Sequence, residues 1–97
     1  MILVKQSIEN YPIAWDFEND LPIGEILDGA QCEINVLDSA GADQSATMIS
    51  DKQVSGTILM GRLLNGANGA DYTINFVGKT TIGGVYTGIV YLQIRNP

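Results

Sequence analysis

The chain has 97 residues, a formal net charge of −6, one cysteine and no histidine. That length supports one domain around one core, residues 1–97 as a single unit, and its acidic balance disfavours binding to phosphate backbones and so to nucleic acid. No stretch approaches the roughly 18 consecutive apolar residues of a membrane-crossing helix, and Cys32 alone cannot close an internal disulfide.

Glycine is frequent, and Ile, Val, Thr and Tyr are spread through short segments without helical runs of Ala, Leu, Glu and Lys. This composition predicts an all-β protein. Met1 to Lys5 reads as a short first strand that ties down the terminus. It lacks the basic start and long apolar run of a signal peptide, so synthesis in the cytoplasm is expected. Gln6 to Asn10 is a polar link. Tyr11 to Phe17 alternates, with Tyr11, Ile13, Trp15 and Phe17 on one face. Pro12 donates no ladder hydrogen bond, which assigns this strand to a sheet edge. Trp15 is expected to be largely buried, with a partner for its indole N–H.

Glu18 to Gly24 is rich in turn formers. A short strand Glu25-Ile26-Leu27 follows, then a turn at Asp28-Gly29. Gln31 to Leu37 alternates cleanly and turns Cys32, Ile34 and Val36 inward. Asp38 to Asp43 is a loop by composition. Ser45 to Ser50 reads as a weaker strand, and Asp51-Lys52 as a turn. Val54 to Leu64 carries both helical and extended features; its glycines and the β context favour a strand with a bulge at Gly61. Asn65 to Gly69 is a loop able to visit positive φ. Tyr72 to Val77 and Tyr86 to Ile94 have period-two alternation and flank a loop from Lys79 to Gly84, which together make a C-terminal hairpin. Val90, Leu92 and Ile94 share the inward face. Val85, Ile89 and Tyr91 fall on the outward face, where they serve either an assembly surface or a covered central strand.

About seven short strands at this spacing predict an immunoglobulin-like β-sandwich. Gly69-Ala70-Asp71-Tyr72-Thr73-Ile74 fits a tyrosine corner, with Ile74 where antibody domains carry a cysteine. The other reading of Tyr72 is an ordinary strand residue.

Chemistry-bearing constellations are sparse. Without histidine there is no Ser-His-Asp or Cys-His arrangement. Cys32, on a strand face with no cationic neighbour in sequence, reads as a buried inert thiol. Asp16, Glu18 and Asp20 alternate in a loop and offer hard oxygens to a cation such as Ca²⁺, but the glycine and terminal glutamate of an EF-hand loop are absent, and a solvated acidic loop is the commoner occurrence. No catalytic, cofactor or metal residues are assigned, and no enzyme activity is expected. Charge is uneven: residues 1–50 hold nine carboxylates against Lys5, and residues 51–97 hold four cations against Asp51 and Asp71. This is either a solvated acidic face or a polarity through which copies of the chain, or another protein, associate as a homo-oligomer or complex.

Lys5, Tyr11 to Phe17, Leu21-Pro22-Ile23-Gly24-Glu25-Ile26, Gly66 to Tyr72, Thr80-Thr81-Ile82-Gly83-Gly84 and Val85 to Arg95 follow one another in a telling order. The order resembles a family of small tailed-bacteriophage structural proteins with an immunoglobulin-like fold, the fibre–tail adaptor group. A second tryptophan common in that group has no counterpart between Cys32 and Val36. The resemblance implies a non-enzymatic virion component, made in the bacterial cytoplasm, that contacts other tail or fibre proteins and uses neither nucleic acid nor membrane. Edge strands completed by a neighbour's strand are a further expectation. Two rival readings come from other classes: an adhesion or ligand-binding module of a bacterial surface protein, and a small hydrolase or nuclease, which the missing histidine disfavours.

Overall fold

Strands form where apolar side chains recur at every second residue, and turns form where Gly, Asn and Asp interrupt that recurrence. The computed structural model describes residues 2–97. The strands are β1 (Ile2–Lys5), β2 (Tyr11–Asp16), β3 (Glu33–Asp38), β4 (Ile49–Ser55), β5 (Ile58–Leu63), β6 (Asp71–Lys79) and β7 (Val85–Ile94). A single helical turn, α1 (Ser45–Met48), precedes β4. Of the expected first strand, Met1 lies outside the described residues.

Two sheets pack face to face, ordered β1-β7-β6-β3 and β2-β5-β4. These are the two sheets of an immunoglobulin sandwich, with the first strand joining the second sheet's partner by pairing parallel to β7. The inward residues meet as one core: Ile13, Phe17, Ile34, Val36, Leu59, Leu63, Ile74, Phe76, Leu92 and Ile94 are buried. Burying a side chain of this size contributes about 1.5–3 kcal/mol each, which offsets the entropy lost in ordering the strands.

The tyrosine corner is present. The Tyr72 hydroxyl accepts a hydrogen bond from the backbone N–H of Ala67 at 3.0 Å, five residues upstream. Its ring is buried beside the fully buried Ile74. Gly66 (φ +106) opens this connection; a Cβ there would lie 2.7 Å from Ile94 Cδ1, so glycine is required for both conformation and space.

Four local expectations are corrected. Glu25-Ile26-Leu27 is not a strand; Leu27 alone bridges Thr80, because the Glu25 carboxylate turns away to side-chain partners described below. Ser45 to Ser50 begins as α1, because Asp43 Oδ1 accepts from the Ser45 N–H at 2.8 Å and Thr47 Oγ1 donates to the Gln44 carbonyl, and such local bonds favour turns over ladders. Asp51-Lys52 is not a turn between strands but lies inside β4. Val54 to Leu64 is not one strand, since Gly56-Thr57 closes a two-residue hairpin with Gly56 at φ +61 between β4 and β5. The expected bulge is real and centred on Gly61, but the extra residue belongs to β4: Ser50 pairs with Arg62 and Gln53 with Met60, leaving Asp51 and Lys52 opposite Gly61.

Trp15 is only partly buried. Its indole lies flat against Gly88, where a Cβ would fall 2.1 Å from Cε2, and tilts over Phe76 with ring centroids 5.9 Å apart. The expected indole N–H partner is not among the hydrogen bonds of the described residues, and no buried side-chain nitrogen or oxygen among them lacks one, so this N–H is open to solvent.

Every sheet edge carries a device against further pairing. On β1, the strand is only four residues long. On β2, the Phe17 N–H bonds to Thr57 O at 2.9 Å, so by alternation Pro12, Ala14 and Asp16 turn their backbone to the open edge, where Pro12 offers no donor. On β3, the edge is occupied: Gln44 N–H donates to Val36 O at 2.7 Å and Ser45 Oγ accepts from Val36 N–H at 2.8 Å. On β4, the bulge, with Asp51 at φ 54, breaks the run. These devices oppose strand addition by a neighbour.

Candidate functional site

Asp16, Glu18 and Asp20, the sequence's best cation candidate, are not gathered into a ligand set. The Asp16 carboxylate accepts from the Glu18 N–H at 2.9 Å and from Thr57 Oγ1 at 2.6 Å. Thr57 and then the Glu18 amide hold its pKa below the usual aspartate value. Asp16 thus ties the turn after β2 to the β4–β5 hairpin. Among the described residues, no group of three or more His, Cys, Asp or Glu side chains is placed to hold a metal ion. Cys32 is fully buried, its Sγ 3.4 Å from the Lys79 N–H and 3.5 Å from the Lys79 carbonyl. It packs as a small core residue.

The cations are committed within the molecule. Lys79 pairs with Glu33 at 3.6 Å and Arg95 with Asp71 at 2.9 Å. Lys52 Nζ donates to the Cys32 carbonyl at 2.6 Å, and Arg62 reaches Asn10. Lys5 is 2% exposed, and its ammonium donates to the carbonyls of Gln6 (2.7 Å), Ser7 (3.4 Å) and Glu9 (3.0 Å). Burial lowers its pKa, and the nearby Glu9 charge partly opposes that. Of the four cations in residues 51–97, two pair with carboxylates and the other two, Lys52 and Arg62, are held by neutral acceptors.

Two surfaces stand out. The first is the outer face of the four-stranded sheet. Alternation along β1 and β7 projects Ile2 (64% exposed), Val4 (55%), Ile89 (46%) and Tyr91 (54%) to the same side. The register puts Ile2 beside Tyr91 and Val4 beside Gln93, with Thr73 and Asn75 of β6 next to Tyr91 and Ile89. A shallow groove of about 440 Å³ runs beside Ile2 and Tyr91. Nothing among the described residues covers this face.

The second surface is the end formed by the β2–β3 connection and the β6–β7 hairpin. Here Glu25 Oε1 accepts from Thr80 Oγ1 at 2.8 Å and Oε2 from the Tyr86 hydroxyl at 2.9 Å. The Glu25 hydrogen bond, burial and carboxylate charge all raise the Tyr86 pKa. Gly84 permits the approach, because a Cβ there would lie 2.4 Å from Glu25 Oε1. Backbone bonds from Thr81 N–H to Ile26 O (3.1 Å) and from Asp28 N–H to Lys79 O (2.8 Å) complete the brace. It holds Ile23, Ile26 and Ile82 out in solvent.

Sequence reasoning located Val85, Ile89 and Tyr91 through their alternation. It missed Ile2 and Val4 because a strand of four residues shows too few periods to separate its faces. It missed the Glu25 brace because its members are up to 61 residues apart, and no local pattern joins them. The chain matches no family model and no curated protein.

Proposed function

We propose that this chain is a non-enzymatic assembly module of a bacteriophage or prophage virion, a tail or fibre attachment part that acts through protein–protein contacts. It is made in the bacterial cytoplasm and resides in the particle. The observation that supports this reading is the uncovered apolar outer face of the four-stranded sheet on a rigid sandwich whose edges are all blunted. Such a face is costly on a solitary monomer and useful in an assembly. The resemblance to fibre–tail adaptors supplies the virion context.

Particles purified from a host that carries the gene test the reading. Mass spectrometry is expected to find the chain in them in several copies, and deletion of the gene is expected to leave tails or fibres unattached. Particles that lack the chain and assemble normally without it would overturn the proposal.

The braced loop end favours a second reading, an adhesion or ligand-binding module of a bacterial surface protein. Rigid loops that present exposed side chains at one end of a sandwich are a common recognition device. A glycan array separates the two, since saturable sugar binding abolished by Ile23→Ser or Ile82→Ser supports only the second.

A further inference from the structure

We infer that the outer face of the four-stranded sheet docks a second copy of this chain, packed sheet on sheet about a two-fold axis. The inference rests on reading that face as an assembly surface and names its occupant. Three observations lead to a second copy.

Charge is the first. The ionic groups on this face are Glu33 with Lys79 and Asp71 with Arg95, two pairs closed within the chain. Asp38, at the end of β3, turns its carboxylate into its own loop, toward the Ala40 and Ala42 amides. Asp38 lines the groove at the rim of this face, and the other eight carboxylates and three cations lie elsewhere, so five of the six net negative charges sit off it. Both carboxylates of these pairs already have a cation of the same chain beside them, so a basic partner is drawn more strongly to the acidic remainder. Two copies of an acidic chain repel least through a surface that carries little of its net charge, and a two-fold contact needs a patch that complements itself.

Shape and area are the second. β6 and β7 pair over nine residues in a four-stranded sheet. At about 3.4 Å per residue and 4.8 Å between strands, the face offers about 500 Å² per copy, or about 1,000 Å² in all, the lower limit for a specific interface. Ile89 and Tyr91 lie near its centre and Ile2 and Val4 beside them, an apolar anchor bordered by Thr73, Asn75 and Gln93. Two such faces pack about 10 Å apart, as sandwich sheets do.

The third is the state of the edges. The short β1, Pro12 on β2, the occupied edge of β3 and the β4 bulge all oppose strand addition, so self-association by extending a sheet is disfavoured. The faces are left, and this one projects the large apolar side chains.

The test is the solution mass of the full chain from about 10 µM to about 1 mM, a range that brackets the affinity of a small interface. The mass is expected to rise from the 10.4 kDa monomer toward twice that value. High salt should leave the association intact or strengthen it, because no charge pairing drives it. The double variant Ile89→Lys/Tyr91→Lys should weaken association at least tenfold, while Gln53→Lys on the opposite sheet should not. All three side chains are exposed, and thermal melts should confirm unchanged folding. A monomer throughout the range, association that survives the double variant, or association lost in Gln53→Lys would each overturn the inference. A monomer that is still found in virions overturns the dimer alone; a dimer absent from virions overturns the virion reading alone.

Discussion

The two outer faces of this sandwich are built by the same alternation and end up opposite in character. The four-stranded face presents Ile2, Val4, Ile89 and Tyr91 with its charges paired internally. The three-stranded face presents Pro12, Ala14, Gln53, Met60 and Arg62 around a dish of about 380 Å³, formed where the β4 bulge exposes Asp51. The first projects four large apolar side chains with a groove at one end; the second is a dish broken by the bulge, where Asp51, Gln53 and Arg62 stand among smaller apolar groups. A pleated sheet needs only one apolar face to fold, so the composition of its other face is free to serve contact or solubility.

The largest effects separate the inner side of a strand from its outer side. Leu92 and Tyr91 are neighbours on β7, one fully buried and one half exposed. Leu92→Ala should cost about 2–5 kcal/mol of stability by denaturant unfolding, because it leaves a cavity in the shared core. Tyr91→Ser should cost much less, within about 0.5–1 kcal/mol, and register chiefly as lost association. Equal destabilisation by the two would mean that the outer face is packed against something and the contrast between the faces is wrong.

A smaller effect is expected where the sandwich is fastened. Tyr72→Phe removes the acceptor for the Ala67 N–H while the ring stays in the core. The loss should be about 0.5–1.5 kcal/mol with no change in association, read by unfolding and by solution mass. A change in oligomeric mass would show that the corner, rather than the β1–β7 face, governs contact between copies.

The smallest effect is one of pH. Asp16, Asp38 and Asp43 all have folded-state pKa values below the ordinary aspartate value. The main causes are Thr57 for Asp16, the Ala42 amide and Gln44 for Asp38, and the Ser45 hydroxyl and amide for Asp43. Because the folded values are depressed, the stabilisation is present above the unfolded aspartate pKa, about pH 4, and is lost as pH falls through the lower folded values. The melting temperature should therefore drop between about pH 4 and pH 2. The triple variant Asp16→Asn/Asp38→Asn/Asp43→Asn should flatten that slope, and an unaltered slope would assign the acid sensitivity to other carboxylates. Asp16 and Asp38 end β2 and β3, Asp43 lies in a loop, and none belongs to the apolar anchor of Ile2, Val4, Ile89 and Tyr91, so dimerisation should change little.

Much of this architecture is legible from residue order. The alternation from Tyr72 onward placed β6, β7 and their inner and outer faces; Pro12 pointed to an edge or a strand start for β2; the spacing of Tyr72 and Ile74 offered the corner as one of two readings, and the Ala67 hydrogen bond decides it. The failures share a physical cause. At Glu25 and at Asp43 to Ser45, side chains bond to groups that a strand would have used, and such competition depends on partners distant in sequence or on turn geometry. Lys5 closes β1 as expected, and the same period of two that turns Leu3 inward turns Lys5 inward as well. Its ammonium is accommodated there by three carbonyls that only the folded link Gln6 to Asn10 supplies. The apolar outer face was half visible: Ile89 and Tyr91 showed the direction, but whether another element covered them depended on topology.

The contrast between the two faces is tested most directly by following backbone amide resonances of the wild-type chain through a dilution series. The account predicts concentration-dependent shifts confined to the four-stranded sheet, strongest around Ile2, Val4, Ile89 and Tyr91, with β2, β4 and β5 unmoved. Shifts centred on β2, β4 and β5, or spectra that do not change with concentration, would contradict it.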